Sequence, residues 1–419
     1  MATKSMSKRQ KRQQKKNKDK KVRLEMEKQL RDVEIKQEAT KRIQEQQVLK
    51  KQHSQEALRQ SVLGEGPNTK IAINYIADRN GCGYFRCIWP FELLATYKNI
   101  MGINSFMYHF EQSLLSKVDI LRFQRQATSS QLQAWETYRK MKAQLGYQYK
   151  LQYEIDDLLM EIEPHNKVAY DYFDQEKKDN HMRMLHTADS ITFSTDALKD
   201  IYVNDYNVDP EKIRVVKNFL PQFLYSLPYR NAVKEFNTTD RKPRVFWSGS
   251  ASHVGEGGDL QFLVPLIERT VDKYQWVFQG TIPPSLVDYV KEGKIEFLSW
   301  VPVYGLANIQ FYKARPDVCL APLNPTKFNS CKSDLKYLES CALGAPCITT
   351  SFEDHGLKSP YDAAGSEICI EPDADLWEAT IDHLVGNPDY YMDVSKNQYN
   401  FLNGRWMEAN LDQWVNSMS

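Results

Sequence analysis

The feature that most constrains the fold is an alternation of strand-like and helix-like segments that covers nearly all of the chain after residue 66. Apolar runs such as "KIAINYIA" and "PRVFWSGS" are followed by small or polar residues and then by stretches with the helical spacing of apolar residues. Repeated strand, turn and helix units are typical of an open parallel sheet with helices on both faces. The sequence therefore predicts an α/β fold with doubly wound parallel sheets.

Length and a polar interruption divide this pattern in two. The chain has 419 residues, whereas single cores rarely grow beyond roughly 250 residues, and the stretch "RNAVKEFNTTDRKP" separates two series of units. We predict a basic tail with an exposed helix or weak coiled coil (1–66), two Rossmann-like domains that face a cleft (67–228 and 240–392), and a C-terminal helix that packs back across both (393–419). Ligands of such folds bind at the carboxyl ends of the strands.

Individual segments predict individual elements. In the first domain we expect strands in "KIAINYIA", "NSFMYHF" and "VDILRFQRQ", and a helix in "GCGYFRCIWPFELLATYKN". In the second domain we expect strands in "PRVFWSGS" and "QWVFQG", and helices in "GDLQFLVPLIERTVDKY" and "KSDLKYLESCALG".

The N-terminal segment differs in charge from the rest of the chain. Residues 1–23 contain eleven Lys or Arg and one acid, Asp19, so they carry +10, and because the whole chain carries +1 the remaining residues carry −9. Clustered Lys and Arg bind nucleic acid through counterion release, although a solvated, disordered tail that only aids solubility explains the composition equally well. The candidate nucleic-acid contacts in this tail are Lys8, Arg9, Lys11, Arg12, Lys15 and Lys16.

Composition also limits the class of protein. No apolar run reaches the roughly 18 residues of a membrane-spanning helix, and no apolar stretch follows the basic N-terminus as it would in a secretory signal. The seven cysteines include no CxxC pair, so we expect free thiols and no zinc site. We expect a cytoplasmic protein, and the helical arm would allow an oligomer.

The first two groups of candidate site residues follow strands of the first domain. Gly81 and Gly83 would let backbone amides approach a phosphate or sugar, with Arg86 as a charged contact; a tight turn and a surface ion pair are the plain alternatives. In "YEIDDLL", Asp156 and Asp157 crowd with Glu154 at a strand end, where like charges are unfavourable unless they serve as a base, a hydroxyl acceptor or a metal ligand. Helix capping is the alternative for these aspartates.

Two further groups belong to the second domain. The loop that contains Gly249, Ser250 and Ser252 suits phosphate or sugar oxygens, and His253 beside it is more often a structural hydrogen-bonding residue than a catalyst.

The stretch "KSDLKYLESCAL" places Lys332 and Ser333 at the N-terminal edge of a helix, where its dipole and free amides favour an anion. Lys336 and Glu339 lie three residues apart and share a face of that helix. An ordinary surface ion pair between these two residues is the alternative.

Taken together, these segments resemble the GT-B glycosyltransferases of the large group that includes sucrose and glycogen synthases. "KFNSCKSDLKYLESCALGAPCITTS" is similar to the nucleotide-sugar signature of that group in a variant form. "ADSITFSTDALKDIY" and "KIRVVKNFLP" resemble a second pattern, with Asn218 at its asparagine position, and "RVFWSGSASH" resembles the first strand and loop of the donor domain. "FLSWVPVYGLANIQFYKARPDVCLAPL" resembles the segment around the nucleotide base, here Trp300, Val301 and Pro302.

The resemblance implies sugar transfer from a nucleoside diphosphate donor, with a UDP-sugar favoured, retention at the anomeric carbon and no required metal or other cofactor. By position it implies that Lys332 and Ser333 bind the diphosphate, that Glu339 beside Lys336 binds the ribose, and that Trp300 and Val301 contact the base. The loop with Gly249, Ser250 and Ser252 would bind the phosphates or the sugar. In the other domain, Gly81, Gly83 and Arg86 would close the cleft, and Asp156 or Asp157 would face the sugar or the acceptor. Two departures affect these roles. Cys331 stands where the commoner motif has a glutamate, and the Arg/Lys pair after the donor-domain loop is missing, so the neutralising role moves to Lys332.

The basic tail guides the choice of acceptor. A Lys/Arg-rich arm on an acidic enzyme resembles the bacteriophage enzymes that glycosylate hydroxymethylated bases of DNA, which must reach a hydroxyl on a base edge or flip the base out. One alternative is a cell-surface glycan or lipid-linked acceptor, with the tail on anionic headgroups. Another is a non-catalytic scaffold that retains the transferase fold.

Overall fold

The computed structural model describes residues 69–226, 241–301, 307–362 and 364–419. In these ranges the strands form two six-stranded sheets. The first sheet contains β1 (Lys70–Tyr75), β2 (Ile100–Ser105), β3 (Ile120–Gln124), β4 (Lys150–Ile155), β5 (Ser190–Phe193) and β6 (Ile213–Val215). The second contains β7 (Arg244–Gly249), β8 (Gln275–Gly280), β9 (Ile295–Ser299), β10 (Val318–Ala321), β11 (Cys347–Thr350) and β12 (Cys369–Ile370).

The described α-helices connect and cover these strands. In the first half they are α1 (Gly81–Gly83), α2 (Trp89–Tyr97), α3 (Gln112–Leu115), α4 (Ser129–Leu145), α5 (Lys167–Tyr172), α6 (Gln175–Thr187), α7 (Asp196–Asn204) and α8 (Gln222–Tyr225). In the second half they are α9 (Val264–Thr270), α10 (Val287–Lys291), α11 (Ala307–Ala314), α12 (Lys327–Ser330), α13 (Leu335–Leu343), α14 (Ala374–Gly386), α15 (Pro388–Phe401) and α16 (Leu411–Ser417).

Every strand pair in both sheets is parallel. The first sheet has the order β2-β1-β3-β4-β5-β6 and the second has the order β12-β11-β10-β7-β8-β9. Strands such as β3 and β10 are buried along their whole length, as expected because a doubly wound sheet is covered on both faces. The sequence of β10 is entirely apolar, whereas β3 contains the buried Arg122 and Gln124. The order of the strands reverses between β1 and β3 and between β7 and β10, and ligands bind at such switch points in open α/β sheets. This arrangement confirms the predicted fold class.

Most expected elements are present, but one strand was placed wrongly. The segment "NSFMYHF" was expected to be a strand, whereas β2 ends at Ser105. The hydroxyl of Ser105 accepts a hydrogen bond from Met107 N at 3.0 Å and donates to Met107 O at 2.8 Å, and these bonds close a turn. Local side-chain bonding to the backbone therefore ends the strand despite the apolar residues that follow.

The helix expected after β1 forms with a change of register. A π-helical turn, Tyr84–Ile88, separates α1 from α2. In a regular α-helix the N–H of residue 90 would bond to the carbonyl of Arg86, but Pro90 has no N–H. The Arg122 guanidinium on β3 donates to that carbonyl instead, at 2.6 Å.

The C-terminal segment contacts both halves of the structure. In α15, Ser395 donates to the carbonyl of Gly344 at 2.6 Å in the second half. In α16, Trp414 lies 5.1 Å from the Arg122 guanidinium in the first half, and Gln152 on β4 donates to the carbonyl of Ser417 at 2.6 Å. The last described helices are therefore packed against elements of both sheets.

Candidate functional site

A cleft of about 970 Å³ lies at the carboxyl ends of strands from both sheets. Its lining brings together candidates from all four sequence groups. The predicted residues that line it are Gly81, Arg86, Asp156, Asp157, Gly249, Ser250, Ser252, Trp300, Val301, Lys332, Ser333, Lys336 and Glu339.

The loop after β7 forms part of the second-sheet wall. The hydroxyls of Ser250 and Ser252 lie 2.7 Å apart in a hydrogen bond. Gly249 pairs with Gly280 at the ends of β7 and β8. Gly280 has a φ of +94°, and a Cβ there would lie 2.5 Å from the carbonyl oxygen of Gly249, so this close approach requires glycine.

His253, beside this loop, has a buried structural partner. Its Nδ1 lies 2.6 Å from Asp259 Oδ2, and Asp259 also accepts hydrogen bonds from Asn324 N and from the Asn329 amide. Burial, together with the positive charge of Lys336, lowers the pKa of His253 to about 4. The imidazole is therefore neutral near pH 7, and it donates its Nδ1 proton to Asp259, which accepts.

Helix α13 supplies two polar side chains to the cleft. Lys336 Nζ donates to the carbonyl oxygen of Ser248 at 2.8 Å and lies 4.8 Å from the centre of the Trp247 ring. Burial lowers the pKa of Lys336 to about 8. Glu339 is buried and accepts a hydrogen bond from the Tyr225 hydroxyl at 2.9 Å. The polar face of this helix is therefore turned toward the interior of the cleft, and the sequence alternative of a plain surface pair does not describe it.

Residues 331–334 precede α13 and are held by groups outside their own sheet. Because the resemblance assigns Lys332 and Ser333 to a sugar donor, we call this segment the donor loop. Thr195 donates to the carbonyl of Cys331 at 2.9 Å, and the Asn218 amide donates to the Ser333 hydroxyl at 2.8 Å. The guanidinium of Arg405 makes a two-pronged ion pair with Asp334 at 2.6 and 2.9 Å.

Lys332 lies between these anchored positions of the donor loop. Its Nζ is 4.6 Å from the centre of the Phe328 ring and 3.7 Å from Asp157 Oδ1 across the cleft. The donor loop therefore presents one lysine ammonium and one serine hydroxyl from a fixed backbone.

The opposite wall carries three carboxylates around one guanidinium. Arg125, directly after β3, pairs with Asp78 at 2.9 Å, with Asp157 at 3.2 Å and with Asp156 at 3.3 Å. Its backbone has a φ of 47°, a conformation that is unusual for a residue with a side chain and that costs energy. The sequence reasoning missed Arg125 and Asp78, although both follow strands of the first sheet at their carboxyl ends, the position that would have indicated them.

The two adjacent aspartates have different electrostatic surroundings. Burial raises the pKa of Asp156 above its usual range despite the neighbouring Arg125. Burial also acts to raise the pKa of Asp157, but the positive charges of Lys332 and Arg125 outweigh it, and the net shift is downward. Asp157 is thus ionised near neutral pH, and Asp156 binds a proton more readily than Asp157 does.

Two residues predicted to bind the donor, Arg86 and Gly83, are packed against other groups of the first domain. Arg86 is fully buried, and its guanidinium donates to Glu154 at 2.5 Å, to Val216 O at 2.5 Å and to Asn218 Oδ1 at 2.9 Å. Gly83 packs against the backbone of Asp78, where a Cβ would lie 2.0 Å from the carbonyl oxygen. Both residues thus contact protein groups that fix the first domain around the cleft.

The base-pocket candidates lie at the end of β9. The Trp300 side chain is 45% exposed, and Val301 lies beside it in the cleft lining. Pro302 and the N-terminal residues 1–68, with the predicted DNA contacts and helical arm, lie outside the described residues.

The described residues contain neither a metal-binding cluster nor a membrane-spanning helix. No cluster of three or more His, Cys, Asp or Glu side chains there could hold a metal ion. No helix in the same part of the chain is long and apolar enough to cross a membrane.

Comparison with known proteins identifies the fold. No protein-family model and no curated protein matches this sequence. A glycosyltransferase from Rickettsia africae matches the structure with a TM-score of 0.54 at 14% identity, over 84% of this chain and 98% of that one. HepE from Anabaena, solved with UDP and glucose and also with UDP-glucose, matches with a TM-score of 0.56 at 12% identity, over 83% of this chain and 98% of that one. The chain has the two-domain GT-B fold.

Proposed function

We propose that this protein is a glycosyltransferase that moves a sugar from a nucleoside diphosphate sugar, with UDP-sugars favoured, to a hydroxyl acceptor. The proposal depends mainly on one observation: the donor loop, α13 and the carboxylates at the ends of the first-sheet strands all line the same cleft. Lys332, the ammonium on the donor loop, and Asp157, the ionised carboxylate on the other wall, lie 3.7 Å apart. The structures of HepE with UDP and with UDP-glucose support the choice of donor.

The second-sheet wall suits the nucleotide part of the donor. Lys332 and the Ser333 hydroxyl would bind the diphosphate at the edge of α13, where free amides add positive potential. Lys336 is deeper in the cleft beside the end of β7 and would add a second positive charge. Glu339 would accept hydrogen bonds from the ribose diol, and Trp300 with Val301 would contact the base.

The first-sheet wall suits the transferred sugar. In the reaction the bond between the anomeric carbon and the diphosphate oxygen breaks, and a bond to the acceptor oxygen forms. Lys332 and Ser333 stabilise the negative charge that develops on the leaving diphosphate. The ionised Asp157 stabilises positive charge at the anomeric carbon, while Asp156, whose pKa is raised, binds a sugar hydroxyl.

We further propose that the reaction proceeds with retention and without a metal ion, on the strength of the family resemblance. Retention by direct displacement requires the acceptor to attack from the face that the diphosphate leaves. The departing phosphate oxygen is then the nearest base, and it takes the proton of the acceptor hydroxyl.

Calorimetric titration of the full-length protein with UDP, and measurement of UDP release from UDP-glucose and UDP-N-acetylglucosamine, test the donor site. Lys332→Ala and Glu339→Gln should each weaken UDP binding by about tenfold or more, because each removes a charged hydrogen-bonding partner. Lys291→Ala and Glu268→Gln make the same chemical changes at exposed positions and should leave binding unchanged. Absence of UDP binding and of UDP release with every nucleotide sugar would contradict the proposed function.

The acceptor proposed is a hydroxymethylated base in phage DNA, and this part of the proposal depends on the composition of residues 1–23 alone. DNA that contains hydroxymethylcytosine should stimulate UDP release in low salt, and the stimulation should fall as salt is added because phosphate contacts are lost. Stimulation instead by lipid-linked or glycan acceptors, with none by DNA, would favour a cell-surface acceptor.

A further inference from the structure

The donor loop is connected to a fully buried charge network in the first domain. Arg86 and Arg122 both pair with Glu154, and none of the three side chains is more than 1% exposed. Thr192 also donates to Glu154. The Trp414 ring lies 4.9 Å from the Arg86 guanidinium and excludes water from it. Arg86 is thus held in one orientation by partners on several elements.

This orientation determines how the Asn218 amide is turned. A guanidinium can only donate hydrogen bonds, so the atom of Asn218 that lies 2.9 Å from Arg86 Nη1 must be the acceptor, Oδ1. The amide nitrogen then faces Ser333, and it donates to the Ser333 hydroxyl oxygen at 2.8 Å.

The hydrogen bond from Asn218 also limits where the Ser333 hydroxyl can donate its own proton. A serine hydroxyl has one proton to donate and two lone pairs. The amide of Asn218 occupies a lone pair, and among the described residues the structure shows no acceptor for the Ser333 proton. Because Ser333 lines the cleft, that proton is available to an acceptor inside the cleft.

We propose that Arg86 and Asn218 are positioning residues that fix the Ser333 hydroxyl as a hydrogen-bond donor to the diphosphate. This inference rests on the proposed function, since it requires an anion beside the donor loop. It also changes the part played by Arg86, which acts through Asn218 instead of contacting the donor. Arg86 donates both to Glu154 and to Asn218 Oδ1, and the amide nitrogen of Asn218 donates to the Ser333 hydroxyl.

The test is a double-mutant cycle on the full-length protein, with UDP and uridine as probes in calorimetric titrations. In Asn218→Asp the carboxylate can only accept hydrogen bonds. The Ser333 hydroxyl would therefore donate its proton to this carboxylate, and that proton would no longer be available for a hydrogen bond to the phosphate. We expect UDP binding to weaken about tenfold in Asn218→Asp and in Ser333→Ala, with uridine binding unchanged. The double variant should bind UDP with about the same affinity as the single variant of lower affinity, because Asn218 acts through Ser333.

Additive losses in the double variant would overturn the inference, because they would show that the added charge or a structural change acts independently of Ser333. An equal loss of uridine binding would overturn it as well. Asn74→Asp alters another buried asparagine, on β1 and outside the cleft lining, and should leave UDP affinity unchanged. Thermal unfolding shows whether Asn218→Asp is folded; if it is not, Asn218→Ala replaces it, with a smaller expected loss and the same non-additivity.

The two proposals fail in different ways. If the wild-type protein does not bind UDP, the proposed function is wrong. If it binds UDP and Asn218→Asp binds it equally well, the function stands and the positioning role is wrong.

Discussion

At the scale of single residues, Lys336 shows how burial sets the charge of a group in the cleft. Its ammonium lies against the Trp247 ring and has a carbonyl oxygen as its hydrogen-bond partner. Burial lowers its pKa from 10.5 to about 8, whereas the buried thiol of Cys347 nearby has its pKa raised to about 12. In mildly alkaline solution Lys336 is therefore the group among these neighbours that changes charge.

We predict that UDP affinity falls as the pH rises from about 7 to 9, a range that brackets the lowered pKa of Lys336. The sign follows because the lysine is protonated below a pH of about 8 and attracts the diphosphate, and loses its proton above it. Calorimetric titration at several pH values measures the change, with uridine to account for titration of the base.

Lys336→Arg is the matched control for this prediction, because a guanidinium stays charged throughout the range. Its affinity for UDP should be nearly independent of pH. The same decline in both proteins would show that another group is responsible.

At the scale of elements, the ends of neighbouring strands shape the cleft. β7 and β8 finish side by side at Gly249 and Gly280, and the φ of +94° at Gly280 turns the chain without a side chain in the way. The ends of both strands line the cleft, and β7 continues into Ser250 there. A substitution at this point should therefore affect both stability and binding.

Gly280→Ala should lower the free energy of unfolding by at least about 1–2 kcal/mol, the cost of a left-handed conformation for a residue with a Cβ, and should also weaken UDP binding. Urea unfolding and calorimetry measure the two effects. Gly386→Ala is the control, since no atom lies within 4 Å of its Cβ position, and a similar loss in both variants would contradict the argument.

The sequence was sufficient to predict most helices and strands, but it did not predict which side chains contact each other. Apolar runs and small-residue turns identified β1, β3 and most later strands, and the motif around Lys332 identified one wall of the cleft. The strand expected in "NSFMYHF" failed because hydrogen bonds of Ser105 end β2 early. The direction of Arg86 could not be read from its position, since it depends on Glu154 and Asn218, which are 68 and 132 residues away in sequence.

At the scale of the whole molecule, the C-terminal segment joins the two halves. Arg405 holds Asp334 on the donor loop, and Trp414 lies over Arg86 and Arg122 in the first domain. A hydrophobic cluster extends from Phe85 and other residues of the first half to residues of the second half. Contacts distant from the cleft thus contribute to its geometry.

Two tryptophan substitutions should separate stability from binding. Trp414 is 1% exposed, whereas Trp300 is 45% exposed. Trp414→Ala should lower the free energy of unfolding by about 3–5 kcal/mol, as measured by urea unfolding. Trp300→Ala should change stability little and weaken UDP binding through the lost contact with the base. A larger loss of stability in Trp300→Ala than in Trp414→Ala would reverse this assignment.

The position of Trp414 in the sequence has a consequence for biosynthesis. Domains generally begin to fold from the N-terminal side while the chain is being made. Arg86, Arg122 and Glu154 emerge from the ribosome long before Trp414, so these charges lack their aromatic cover while the second half of the chain is being made. The aromatic cover of the first domain is therefore completed by residues made after the second sheet.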